Sequence, residues 1–398
     1  MSFQQGLSGL NAASRNLDVI GHNISNAGTI GMKSQRAEFA EVYASSAGIV
    51  GGVSVGLGVE VGRVTQQFSQ GSLNITGNDL DIAINGSGFY QVTLPDGSTA
   101  YTRAGAFKLD RDGNIVDGNG SQLMGYNTDT IGNRTSATLV PLQLPTSAPI
   151  PARASTELFA EFTLDATSPV AATATPPTPV TTYGTSITAY DSQGIEVPVG
   201  IYFSKTANNT WDVYTSVGGS TPALHTTINF NATGGLVAST IPPITLTSQN
   251  GTFSVNLDLG ATTQSNTKFG INELQTDGYP AGTITGMQIE ESGVITATYS
   301  NGQTQSAGQI ALVNFRNVQG LTTGSNSYWR ETYESGQPIV GAPGEGQFGL
   351  LRSGTLEESN VDITAELVSM MTAQRAYQAN AQTIKTQDQV MSTLVNLR

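Results

Sequence analysis

The chain has 398 residues, no cysteine and a net charge of −13, and only 12% of its residues are charged. That length allows two or three domains with cores of their own. The missing thiols exclude disulfides, iron–sulfur clusters, cysteine zinc sites and thiol catalysis, and the acidic balance excludes a basic face for nucleic acid or for an anionic membrane surface.

The first predicted element is a helix over residues 3–27, about 37 Å long, with Ser2 as its N-cap. Phe3, Leu10, Leu17 and Ile24 recur every seven residues, and Leu7, Ala13 and Ile20 fill intermediate positions of an amphipathic stripe. The first charge is Arg15, so the segment lacks the basic start of a secretory signal and no cleaved signal peptide is expected. Gly28 and Gly31 are the expected terminators. The uncharged stretch from Gly48 to Val59 is Gly-rich and too short to span a bilayer, so no membrane insertion is expected.

From about residue 70 to about residue 340 helical periodicity is absent, and the pattern is that of antiparallel β-domains, sandwich or barrel. Turn dipeptides punctuate it: Asn85-Gly86, Asp96-Gly97, Asp112-Gly113, Asp117-Gly118, Asn119-Gly120, Asn250-Gly251, Asp277-Gly278 and Asn301-Gly302. Short alternating runs lie between them, such as Leu80 to Ile84 and Val294 to Tyr299. A proline-rich boundary at Pro141 to Arg153, answered by a second at Thr283 to Met287, brackets an inserted domain, within which Ala171 to Thr182 reads as a loop.

The last element is a predicted helix of about 36 residues, roughly 55 Å long. Ser359 to Asp362 supply its start signals. Ile363, Met370, Tyr377, Ile384 and Met391 keep a strict seven-residue spacing, with Leu367, Ala381 and Val395 between them. Such a length asks for a coiled-coil partner, and the scarcity of charge favours burial against several neighbours. The expected fold class is therefore α+β, mainly β. Its terminal helices form a coiled-coil-like core (1–27 plus 361–398), followed by a connecting segment (28–70 plus 330–360), an inner β-domain (71–144 plus 284–329) and a distal β-domain (145–283).

Catalytic signals are weak. Asp110 to Asn114 is no calcium loop, since its Gly falls at the fourth position and Ser121 stands at the twelfth. Gly344 to Gly349 matches a dinucleotide fingerprint only in letters, with Pro343 before it. His22 and His225 are far apart in the chain, no nucleophile elbow is present, and the adjacent acids Glu290-Glu291 and Glu357-Glu358 diverge on strands. No catalytic residue, metal ligand or cofactor is assigned.

The segment Ser8 to Phe39, with Asn23, Asn26, Thr29, Gly31, Met32 and Lys33 in the pattern N-x-x-N-x-x-T-x-G-[FM]-K, resembles the N-terminal motif of the rod and hook axial proteins of the bacterial flagellum. Leu356 to Arg398 resembles the C-terminal helix of that family. GSLNITGNDLDIAINGSGFYQV and YTRAGAFKLDRDGNIVDGNGSQLMGY resemble its inner β-domain, and Ala311 to Pro338 resembles its hook-type members. The extra β-domain argues against the shorter rod members. The resemblance implies a structural subunit of the hook, exported through the flagellar channel to an extracellular site and polymerising into a flexible hollow tube that transmits torque. Its implied partners are further copies, the distal rod protein, the hook–filament junction protein, a hook cap and the flagellar export apparatus. The implied polymer-core residues are Phe3, Leu7, Leu10, Leu17, Ile24, Ile363, Leu367, Met370, Tyr377, Ile384 and Met391, with Gly28, Gly31 and Gly48–Gly62 as joints. The competing readings are another axial protein, distal rod or hook–filament junction, and a secreted β-rich enzyme or adhesin.

Overall fold

The structure is a computed structural model that describes residues 2–43, 56–145, 149–174, 178–237 and 240–396. The expected joint at Gly48–Gly62 therefore lies largely outside the described residues, as does the side chain of Phe3. The chain divides into two units. The first comprises Met1–Ser147, Gly286–Ala297 and Thr304–Arg398, and the second Ala148–Thr285 and Thr298–Gln303.

In the first unit the helices stand where the heptad spacing puts them, as α1 (Ser2–Ser25) and α2 (Ile363–Asn396). Ser2 is the first residue of α1 rather than its cap. α2 starts on Asp362, whose Oδ1 accepts from Thr364 N at 2.8 Å and Ala365 N at 3.1 Å. Those bonds satisfy two backbone donors that have no partner inside the helix.

The helices approach through small residues. A Cβ on Gly6 would lie 3.2 Å from Ile384 Cγ1, and one on Gly9 would lie 2.9 Å from the Asn380 amide. Ala12, Ala13, Ile20 and Ala373 are buried beside them. A long antiparallel hairpin, β1 (Gln35–Tyr43) and β2 (Gly56–Gln66), lies on α1. Its Gly58, at φ +129°, leaves room for Ser8, whose Oγ accepts from Val59 N at 3.3 Å.

The rest of the first unit is a β-body. Strands Gln122–Tyr126, Phe89–Thr93, Thr99–Thr102 and Tyr328–Arg330 lie side by side, with Tyr90 opposite Thr102 and Val92 opposite Leu123. Side chains alternate between faces along a strand, and here both faces are apolar. Tyr90, Val92, Ala100 and Leu312 join one core with Ile82, Ile84, Phe107 and Leu123. Phe89, Tyr101 and Val313 join a second with Phe315 and Trp329. Early and late segments pair with each other: Ile82–Asn85 with Leu350–Ser353, and Leu73–Ile75 with Thr355–Glu357. Both chain ends thus leave the body together.

The second unit has a four-stranded antiparallel meander (Tyr183–Tyr190, Glu196–Ala207, Thr210–Val217, Ala223–Asn229). A second sheet is built around Glu157–Asp165. The two share one core centred on Phe162, Phe203, Trp211 and Leu246, with the Phe162 and Phe203 rings 4.8 Å apart. Pairing in the second sheet is not wholly antiparallel. Glu157–Asp165 runs parallel to Gly251–Asp258 and to Thr263–Ser265, and antiparallel to Gly270–Thr276. Alternation reports which face a residue occupies and carries nothing about strand direction.

Two turn dipeptides also do other work. Gly86, at φ +121°, lets the backbone of Gly349 approach to where a Cβ would be 2.9 Å from its Cα. Gly278 leaves space for Ser155, while Asp277 accepts from the backbone N–H of Thr156 and Glu157. Among the described residues no helix is long and apolar enough to cross a membrane.

Candidate functional site

Three extended segments cross between the helices and the β-body: residues 31–35, 66–71 and 357–361. They are joined by few bonds of a regular ladder, among them Gln67 N to Ser34 O at 2.8 Å and Glu358 N to Ser72 O at 2.8 Å. Side chains supply the remaining bonds. Asn23, at the end of α1, treats Gln35 as a strand neighbour would: its Nδ2 donates to Gln35 O at 2.8 Å and its Oδ1 accepts from Gln35 N at 2.9 Å. The same amide donates to Glu366 Oε1 of α2 at 2.9 Å. Asn360 joins the other two segments, accepting from Ser34 N at 2.7 Å and donating to Gln67 O at 2.8 Å and Ser69 O at 3.2 Å.

At the centre sits Glu357. The side chains of Lys33 and Glu357 are both 0% exposed, and Lys33 Nζ lies 2.5 Å from Glu357 Oε1. Lys33 also donates to Ser69 O at 2.8 Å, and Gly71 N donates to Glu357 Oε1 at 3.0 Å. Arg103, from the β-body, donates to Glu357 Oε2 at 3.3 Å and lies over the Phe89 ring at 5.2 Å. One carboxylate therefore serves two buried cations. Burial pushes the Lys33 ammonium below its ordinary range while Glu357 pulls it back up. Burial likewise lowers Arg103, again opposed by Glu357. Both directions follow from the cost of holding a charge away from water.

Of the motif residues, the structure brings Asn23, Gly31 and Lys33 into this neck. Gly31, at φ +69°, donates its N–H to Glu357 O at 2.8 Å, and a Cβ there would lie 2.5 Å from Ala104 N. It is a glycine of close approach. Asn26 and Thr29 shape the turn after α1, with Asn26 Nδ2 donating to His22 O at 2.9 Å and Thr29 N to Asn26 O at 3.0 Å. Gly28 is exposed with open space about it.

Of the helix stripe, Leu10, Leu17, Ile24, Met370 and Ile384 are half-buried, whereas Leu7, Ile363, Leu367, Tyr377 and Met391 are exposed. Val368 and Met371 add to the exposed apolar surface.

Sequence reasoning missed Glu357, Asn360, Arg103 and Glu366. Glu357 and Glu358 do diverge: Glu357 turns inward, and Glu358 turns out to Asn74 at 3.1 Å. The available signal was alternation, which puts Glu357 on the inward face with Thr355. Among the described residues no cluster of histidine, aspartate and glutamate suits a metal ion.

Family profiles match most of the chain: "Flagella basal body rod protein" over residues 3–33 and "Flagellar hook protein FlgE/F/G D1 domain" over 83–158. "Flagellar basal body protein FlaE D2 domain" matches 163–279, and "Flagellar basal body rod FlgEFG protein C-terminal" matches 352–397. The chain is 41% identical to the flagellar hook protein FlgE of Escherichia coli K12 over 417 aligned residues, covering 100% of each chain. The chain belongs to the FlgE family of flagellar hook proteins. The FlgE of Salmonella typhimurium LT2 is also 41% identical with 100% of each chain covered, and that of Treponema pallidum is 31% identical over 100% of this chain and 99% of its own. The crystal structure of Helicobacter pylori flagellar hook protein FlgE2 shares the fold, with a TM-score of 0.55 at 17% identity over 71% of this chain and 100% of that one. As a FlgE-family chain this is a structural subunit of the flagellar hook. The rod and junction readings fall away, as does the adhesin.

Proposed function

We propose that the chain polymerises with copies of itself into a hollow helical tube that bends while transmitting torque, with no enzymatic activity of its own. The observation that carries this is the exposed apolar row on α2. Leu367 is 47% exposed and Met371 51% exposed, while α1 meets α2 at Ala373, Asn380 and Ile384. Water is a poor neighbour for so much apolar surface. A head-to-tail, non-closing assembly covers it with the helices of other copies.

In this reading residues 1–27 and 361–398 line the inner tube, and Leu7, Leu10, Leu17, Ile24, Ile363, Leu367, Met370, Tyr377, Ile384 and Met391, with Phe3, meet neighbouring copies. Residues 28–70 with 330–360 connect that core to an inner β-shell (71–144 plus 284–329) and a distal one (145–283). The neck fastens the helices to the body, because Lys33, Glu357 and Asn360 hold both chain ends there. That favours Gly28 over Gly31 as a joint. The subunit reaches its place through the flagellar export apparatus. There it meets the distal rod protein below, the junction protein above and a cap during growth.

Electron microscopy of the purified chain tests the reading. Curved hollow tubes are expected from the parent and none from Leu367→Asp with its β-units still folded. Tubes of normal form from Leu367→Asp would overturn it.

A further inference from the structure

The neck fastens one side of the junction densely, but the other side is open. Around Gln66, where β2 ends, a cleft of about 480 Å³ is lined by His22, Asn26, Gln35, Asn326 and Trp329. A second of about 190 Å³ is lined by Arg63, Thr65, Phe68, Gln319 and Leu321. Both are bordered by Gln35 and Gln66, the paired residues at the root of the hairpin.

Between the clefts, two hydrogen bonds tie this root to the β-body. Gln319 Nε2 donates to Gln66 O at 2.8 Å, and Trp329 Nε1 donates to Gln66 Oε1 at 2.6 Å. The donors are held rigidly. The Trp329 ring is packed against Phe89 at 5.4 Å and Phe68 at 5.7 Å, and Gln319 sits on a short helical turn capped by Asn317.

We infer that Gln66 is a latch that sets the resting tilt of the helix-and-hairpin arm on the β-body, with the Lys33–Glu357–Asn360 neck as the pivot. The two clefts flank the hairpin root on either side of the latch. Moving it breaks two bonds at Gln66 and leaves the pivot intact. Trp329 then loses the partner of a buried N–H, which makes the latched tilt the preferred one.

The latch is a property of the single subunit, so it is read without tubes, and failure of polymerisation leaves it standing. The chain has no cysteine, so Ala40→Cys on β1 and Lys108→Cys on the body carry two spin labels in the full-length protein. Double electron–electron resonance is expected to give one narrow distance. Gln66→Ala is expected to shift and broaden it to at least twice its width. Trp329→Phe, which keeps the ring packing but loses the N–H, is expected to move it the same way. A broad distribution in the parent overturns the latch, as does an unchanged one in Trp329→Phe with its melting temperature retained. Should Gln66→Ala prove unstable, Trp329→Phe alone decides.

Discussion

Removing the charge of Glu357 is the sharpest perturbation of the neck. Glu357→Gln keeps the shape and leaves an oxygen for Gly71 N, but it strands Lys33 and Arg103, which are 0% and 5% exposed in their side chains. Breaking a buried ion pair by deleting one partner costs about 3–5 kcal/mol. Lys33 keeps its bond to Ser69 O and the Phe89 face still supports Arg103, so about 3 kcal/mol is expected for Gln and about 4 kcal/mol for Ala. Lys33→Met is expected to cost less than either, because it leaves one cation for one carboxylate. The two tryptophans make the assay direct. Trp329 reports the first unit and Trp211 the second. Urea unfolding followed by fluorescence in a Trp211→Phe background reads the first unit alone, with Glu358→Gln as a neighbouring control expected within about 0.5 kcal/mol. A loss below about 1 kcal/mol for Glu357→Gln, or a larger loss for Lys33→Met than for Glu357→Gln, refutes the reasoning.

Gly31→Ala is expected to destabilise the first unit by about 2 kcal/mol or more, since it combines a left-handed backbone with a Cβ pressed on Ala104. Gly28→Ala, in open space, is expected to stay within about 0.5 kcal/mol, and equal melting shifts for the two would contradict the close-approach role. In the second unit, burial would raise the Asp191 carboxyl. Hydrogen bonds from Ile195 N, Asn250 Nδ2, Ser248 Oγ and Gln193 N outweigh that and hold it at about 2, below the ordinary 3.8. A depressed carboxyl stabilises the fold above its unfolded value, and that contribution is lost as pH falls from about 4 to about 2. Asp277 is shifted the same way. Asp191→Asn is therefore expected to flatten the acid side of the Trp211 unfolding profile, and an unchanged slope between pH 4 and 2 would count against it. Leu367→Asp is expected to leave melting unchanged while abolishing tubes by light scattering. Ile384→Asp, packed on Gly6, is expected to lower melting as well.

Periodicity carried the helices because each spans many turns, and five residues of α2 keep a strict seven-residue spacing. Alternation and turn residues carried the strands, and Asp96-Gly97 and Asn301-Gly302 do close hairpins between paired strands. The parallel placement of Glu157–Asp165 was illegible, since its partners follow it by about a hundred residues and nothing local encodes them. The motif residues Asn23 and Lys33 were legible from the family resemblance, but their partners were not. Glu357 lies 324 residues from Lys33, and Asn360 was read only as part of a helix start. The helix contact also differed in kind. The large residues of α1 drew attention to the stripe at Leu10 and Leu17, whereas the close approach to α2 is made at Gly6 and Gly9, where the absence of a side chain is what matters.

The neck is polar for a reason that follows from its backbone. Three segments run side by side as the chain changes from helix to pleated sheet, and at that change neither ladder is complete. Ser34 N, Gln35 N, Gln35 O, Gln67 O, Ser69 O and Gly71 N find no partner in a regular ladder, and such a group costs about 1–3 kcal/mol where it is buried unpaired. Apolar side chains fill space but satisfy none of them. Asn23, Asn360, Lys33 and Glu357 satisfy all six. These bonds are directional and span both chain ends, so they hold the arm to the body at one defined place. Hydrophobic packing is non-directional and tolerates sliding. A polar clasp at the pivot and small-residue packing between the helices therefore divide the work: the first holds the place about which the arm turns, and the second lets the paired helices lie close enough to travel as one arm.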